Sequence, residues 1–240
     1  MSFFSHANNT VMKNPVFVEN HLERHGRGIK LLYNASLPEA AHDSAAYEFV
    51  PESLPKTRHG HILEDLSTWA QHPSPPISSL WILGPKSNLA HLCADKLGDY
   101  LAASFFFSRE LGVDDPTRFF PTIAYQLATH FPTYETLIDA KLRRSPGPIS
   151  KSLKIQFREL IVQPFQQLGA REETIGSRRL IMVNGLDDCK GDQARKELLR
   201  ILTTETEALP FSASEFGCMA PKFMGGLCEA RRYGGVRGMP

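Results

Sequence analysis

Long apolar runs are missing from this sequence. No stretch approaches the ~20 consecutive apolar residues needed to cross a bilayer. No positively charged start leads into an apolar core of the secretory kind. An excess of one charge is missing too. Lys plus Arg number 27 against 26 for Asp plus Glu, which leaves nothing to neutralise a nucleic-acid backbone or hold an anionic membrane. Cysteine is scarce and unpatterned: Cys93, Cys189, Cys218 and Cys228 form no CxxC, and the first two sit inside apolar segments. That usage fits buried reduced thiols in a cytosolic protein, not a disulfide framework or a zinc site. No internal repeat is visible. The expectation is a cytoplasmic chain with neither nucleic acid nor membrane as partner, whose function resides in a site and not in its overall field.

What is present is ordinary for a globular protein. The chain has 240 residues, 42% hydrophobic and 22% charged, enough for one sizeable domain with a small appendage. The pattern divides it into a polar lead-in over 1–28, a helical, proline-punctuated approach over 29–78, a domain over 79–210, and a tail over 211–240 expected to be disordered. That tail holds six glycines in its thirty residues and shows neither a helical nor a strand period.

The organising stretch is SSLWILGPKSNLAHLCADKLGDYLAASFFFS, Ser79 to Ser108. It reads as a buried strand (Leu80–Leu83), a Gly84-Pro85 turn, a helix over Ser87–Tyr100 with Leu89, Leu92, Cys93 and Leu97 inward, and a second strand over Leu101–Phe107. Further helices follow over Pro116–His130, Phe131–Arg144 and Ser150–Leu168, the last interrupted near Pro164. RLIMVN at Arg179–Asn184 reads as a third buried strand, and Asp192–Leu209 as a closing helix. Ahead of the first strand, Thr57 is placed to cap a helix carrying Ile62, Leu63, Leu66 and Trp69. Strands alternating with helices imply a parallel sheet covered on both faces. His42, Asp43 and Ser44 carry the side chains of a hydrolase triad, but they are sequence neighbours without a nucleophile elbow.

Several segments together resemble one family. They are AAHDSAAYEF at Ala40–Phe49, the Lys56-Thr57-Arg58 triplet, LAASFFFSR at Leu101–Arg109, RFFPTIAYQLA at Arg118–Ala128, KSLKIQFRELIVQPF at Lys151–Phe165 and NGLDDCKGD at Asn184–Asp192. The chain resembles the fungal NACHT-type P-loop NTPases with a nephrocystin-3-like N-terminal domain, over roughly Val16 to Phe211. The resemblance implies a three-layer P-loop NTPase-like α/β fold and a signalling ATPase that works as an oligomerisation switch, commonly followed by repeats. Its cofactor would be Mg-ATP or Mg-GTP, and its partners further copies of itself or other NACHT-type proteins. On this chain the implied nucleotide site is Gly84, Lys86 and Ser87 with Arg58. The implied magnesium ligands are Ser87, Asn184 and Asp187, and the acids after the third strand are Asp187 and Asp188.

The chain departs from that pattern in three places. The phosphate loop needs GxxxxGK[ST], whose successive backbone N–H groups wrap a phosphate. Here Gly84-Pro85 runs directly into Lys86-Ser87, and proline has no N–H to give. Where the family carries an aspartate before the acid loop, this chain carries the neutral Asn184, a weaker partner for Mg²⁺. The fourth strand expected between strands one and three is replaced by the glycine-rich tail, so the sheet is expected to be incomplete at its C-terminal end, as in a truncated or misread gene. The reading that follows is a degenerate NACHT-type domain without ATP hydrolysis, acting as a scaffold. The alternatives are a functional ATP-hydrolysing switch and a purely structural interaction protein.

Overall fold

The computed structural model describes residues 26–47, 63–64, 66–68, 79–84, 89–168, 180–205 and 216–221. Four strands, β1 (Ser79–Gly84), β2 (Leu101–Phe106), β3 (Leu180–Asn184) and β4 (Phe216–Pro221), form one sheet. The sheet is parallel throughout, in the order β1-β4-β3-β2. Parallel strands cannot be joined by tight turns, so the connections carry the helices. These are α2 (Leu89–Leu97), α3 (Phe119–His130), α4 (Pro132–Arg144), α5 (Leu153–Gln156, Phe157–Val162 and Gln163–Leu168 in one run) and α6 (Asp192–Arg200, continuing through Ile201–Glu205). Helix α1 (Arg27–Ala35) precedes the sheet.

Side chains on a strand alternate between faces, and on β2 and β3 both faces are dry. Phe105, Ile181 and Val183 face the layer that includes α3 to α6, packing with Phe119, Ile123, Leu160 and Leu198. Leu101, Phe106, Leu180 and Met182 face α2 through Ala90, Cys93 and Leu97, joined by Leu66 from the short helical stretch at 66–68. The expected α/β sheet between two helical layers is therefore present. Thr57, Arg58 and Trp69, assigned to the helix ahead of β1, lie outside the described residues.

The expected gap in the sheet is not there. Phe216–Pro221 forms β4 and pairs with β1 from Ser79↔Phe216 to Gly84↔Pro221, and with β3 from Ile181↔Phe216 to Asn184↔Met219. The sequence signal is weak because a central strand is held by main-chain hydrogen bonds from both sides. Two flanking strands with unpaired N–H and C=O rows can recruit a segment that has no period of its own.

The expected interruption near Pro164 takes the form of a widened turn just ahead of the proline, with the helix continuing past it, and the reason is local. Proline removes one helical hydrogen bond and presses on the carbonyl four residues back, which is Leu160. The turn Phe157–Val162 widens to a π-helix. The hydroxyl of fully buried Tyr134 then donates to the displaced Leu160 carbonyl at 2.6 Å. The neighbouring Glu159 carbonyl accepts from Lys141 Nζ at 2.6 Å, and the same ammonium lies 2.8 Å from the Glu159 carboxylate. Helix α4 thus supplies both groups that let α5 run past its proline.

Strand β2 is the sheet edge opposite β1, and its outward main-chain groups have dedicated partners. Gln126 on α3 acts as a one-residue strand: its Oε1 accepts from Ser104 N at 2.9 Å and its Nε2 donates to Ser104 O at 2.8 Å. The Tyr47 hydroxyl donates to the Phe106 carbonyl at 2.9 Å. Gln126→Leu strands a donor and an acceptor at a residue with no exposed surface. The expected loss is about 2 kcal/mol in urea unfolding, with Gln126→Glu intermediate because it keeps the acceptor.

Helix α1 is too short to persist alone, and other elements complete both its ends. At its start, Asp139 Oδ1 on α4 accepts from Gly28 N at 2.8 Å and Ile29 N at 3.1 Å. Arg143 Nε lies 3.1 Å from the other carboxylate oxygen but off the line of a hydrogen bond, so that pairing is electrostatic. At its finish, Arg118 Nη1 donates to Asn34 O at 2.9 Å and Ser36 O at 3.3 Å. An anion at the N-terminus and a cation at the C-terminus both complement the helix dipole.

Candidate functional site at the carboxyl edge of the sheet

In a parallel sheet all strands end at one edge, and loops leaving that edge are where α/β proteins bind ligands. Here that edge carries the end of β1 at Gly84, the end of β3 at Asn184, and the loop after β2. Since β4 separates β1 from β3, the two loops stand about 10 Å apart, twice the strand spacing. Gly84 is the last residue of β1 and α2 begins at Leu89. Lys86 and Ser87 fall between them, outside the described residues, as does Arg58.

The acid loop is fully described. Asn184 is half-buried, and its carbonyl accepts from Phe107 N at 2.9 Å. Gly185 then turns the chain at φ 68° and touches the β2 strand end so closely that a Cβ there would strike the Phe107 carbonyl. Only glycine takes that conformation and that approach without strain. The turn Leu186–Asp188 follows, closed by Asp188 N on Gly185 O at 2.7 Å. Leu186 is buried in the core, while Asp187 and Asp188 are half-buried at the surface.

Two guanidinium groups brace this turn from outside. Arg109 donates through Nη2 to Asp187 O at 2.6 Å and through Nε to Asp188 O at 3.2 Å. Its Nε also stands 4.0 Å from the Asp188 carboxylate. Arg195 on α6 donates to Asp187 O at 3.3 Å, and its other arm holds Asp192 at 2.6 Å. A further bond, Lys190 N to Asp114 O at 2.8 Å, zips the β2 and β3 loops together. The main-chain oxygens of Asp187 and Asp188 are thus committed to arginine. Next door, burial pushes the Cys189 thiol up to about 11 against the pull of Arg195, so it is no nucleophile near neutral pH.

Asn184, Asp187 and Asp188, named from the sequence, stand together on this loop, and Arg109 and Arg195, which brace it, were not named. Arg109 closes the LAASFFFSR segment, so its position was in view. Its role was not, because its partners are carbonyls that a sequence does not single out. Of the residues named from the sequence for a magnesium nucleotide, Gly84, Asn184, Asp187 and Asp188 are described, and all four lie at this edge. Among the described residues no group of three or more His, Cys, Asp or Glu side chains gathers as a ligand set.

Comparison with known proteins gives one match. A family model described as nephrocystin 3, N-terminal, matches residues 61–213, well over half of the chain. No curated protein and no solved structure matches.

Proposed function

Because the chain belongs to the nephrocystin 3 N-terminal family, we propose that it is a NACHT-like nucleotide-binding-type domain that has lost its grip on phosphate. In this reading it serves as a scaffold for a second copy of itself or another NACHT-type chain in the cytoplasm. The observation that carries this is the connection from Gly84 to Leu89, only residues 85–88. A phosphate cradle needs several successive backbone N–H groups between its first glycine and its lysine, and here a single proline stands between Gly84 and Lys86. Lys86 and Ser87 keep the register of the lysine and hydroxyl pair but lack the loop that would aim them. Asn184 in place of a carboxylate lowers the negative charge facing a divalent cation. Among the described residues no helix is long and apolar enough to cross a membrane, in keeping with a domain that meets its partners through its own surface.

One observation favours a second reading, an active ATP switch. The strand order puts β4 between β1 and β3, so Gly84 and the acids Asp187 and Asp188 share one edge. Calorimetry on the full chain separates the two. The scaffold reading expects no heat from Mg-ATP or Mg-GTP up to roughly millimolar ligand, a free energy weaker than about −4 kcal/mol. Micromolar affinity abolished by Lys86→Ala would replace it with the switch, as would phosphate release above that variant's background.

A further inference from the structure

Gly26–Tyr47 lies on the domain as a bound peptide lies on its receptor. Its main chain is held by side chains of later elements, none of them closer than 62 residues along the chain. Asp139 on α4 accepts from Gly28 N and Ile29 N. Arg118, just ahead of α3, donates to Asn34 O and Ser36 O. Further on, Thr122 Oγ1 accepts from Leu37 N at 2.8 Å, and Ser104 Oγ on β2 from His42 N at 2.9 Å. Two apolar anchors, Leu32 and Ala40, have no exposed surface. Gly28 sits so close to the Asp139 main chain that no Cβ fits. Main-chain bonds that hold and side-chain pockets that fix register are the two parts of a peptide-binding groove.

We propose that this groove, formed by α3, α4 and the β2 edge, is where two copies of the chain join, each taking the Gly26–Tyr47 arm of the other. The proposal rests on the scaffold reading above and names its surface. Among the described residues only Tyr33 and Leu111 are large apolar side chains left exposed, so they offer no apolar patch of docking size. An apolar surface able to join copies is then one that the closed chain covers, and the arm covers one.

The groove reads the arm and not its origin. Residues 48–62 join the arm to Leu63, the next described residue. A link of that length reaches about 50 Å when extended, enough to carry the arm to a neighbouring copy. An exchanged pair keeps every docking contact of two closed chains. The two forms therefore differ only by the entropy of joining and by the path the link must take. A tethered arm competes for its own groove at an effective concentration on the order of millimolar. Exchange is thus expected to grow as the protein approaches that concentration.

The test mixes two full-length single variants, Tyr33→Cys on the arm and Tyr125→Cys on α3, at positions whose rings lie 5.2 Å apart. Neither chain carries both new thiols. A short bismaleimide therefore joins position 33 to position 125 only when the arm of one copy lies in the groove of the other, and mass spectrometry of the digest identifies the joined peptides. The expected result is a 33–125 product whose yield climbs between about 10 µM and about 1 mM protein, together with a dimer in light scattering. Gly28→Ala added to the Tyr33→Cys chain is expected to lower that yield about tenfold or more, because the donated arm no longer seats. Leu32→Ala on the same chain, which removes the arm's buried anchor and leaves the groove intact, gives a second reading of the same kind. No product at millimolar protein overturns the exchange, as does a product whose yield ignores both arm variants. Where no product forms, a dimer in light scattering leaves the scaffold reading standing on another surface, whereas a monomer throughout removes self-assembly along with the exchange.

Discussion

Gly28→Ala is expected to destabilise the domain by about 3 kcal/mol or more, well beyond what a glycine-to-alanine change in a helix usually does. On an exposed helix the change would be favourable, because alanine is the better helix former. Here the added methyl has nowhere to go. A Cβ at Gly28 would run into the Asp139 backbone carbonyl, with the Asp139 carbonyl carbon and Cα each 2.9 Å away. Main chain cannot swing aside like the tip of a side chain, so α1 must lift off α4. Lifting separates the Asp139 carboxylate, whose side chain is only 2% exposed, from the two N–H groups it accepts. It also pulls fully buried Leu32 out of the core. An anion left in a dry pocket is the costly part of that change. Urea unfolding followed by circular dichroism measures it, and a loss of only a few tenths of a kcal/mol would show that the two helices do not meet this closely. Asp139→Asn, which keeps an acceptor and removes the charge, should fall between the variant and the natural chain.

The second large effect is expected at Gly185→Ala, about 3 kcal/mol. Two penalties coincide there: a positive φ of 68° that an alanine adopts only with strain, and a Cβ forced onto the Phe107 carbonyl. Phe107 also donates its N–H to Asn184 O, so the methyl pries apart the end of the β2–β3 ladder and tilts the acid loop off Arg109 and Arg195. Thermal unfolding should show the loss as a drop of about 6–12 °C. Exchange should be fastest at Asp188, whose amide closes the turn on Gly185 O. A chain carrying Gly185→Ala with an unchanged melting point and a protected Asp188 amide would mean that the turn is not held against β2.

What the sequence revealed and what it hid divides along physical lines. Strands β2 and β3 were legible because both of their faces are buried, which leaves an apolar run at Leu180–Val183 and one broken only by Ser104 at Leu101–Phe106. Helices α3 and α4 were legible from their apolar spacing. The start of the former shifted slightly, because Asp115 caps a 3₁₀ turn over Pro116–Arg118 before the α-helix begins at Phe119. Strand β4 was not legible, since its place is fixed by main-chain pairing on both sides. Nor was the passage of α5 through Pro164, since the group that permits it, the Tyr134 hydroxyl, comes from another helix. At the candidate site the aspartates of the third loop announced themselves by type. Arg109 did not, because its work is done on carbonyls.

The capping of α1 has a consequence for the order in which the chain acquires structure. Gly28 leaves the ribosome 111 residues ahead of the carboxylate that receives its N–H, and Asn34 leaves 84 residues ahead of the guanidinium that takes its carbonyl. At a synthesis rate on the order of ten residues per second, the N-terminal helix waits roughly ten seconds with neither end satisfied. Its nine residues give it no means of standing alone meanwhile. The first described helix therefore docks onto α4 only after that helix exists. A nascent chain arrested before Asp139 emerges would carry α1 as unstructured peptide, open to protease, while one arrested beyond Arg144 would protect it.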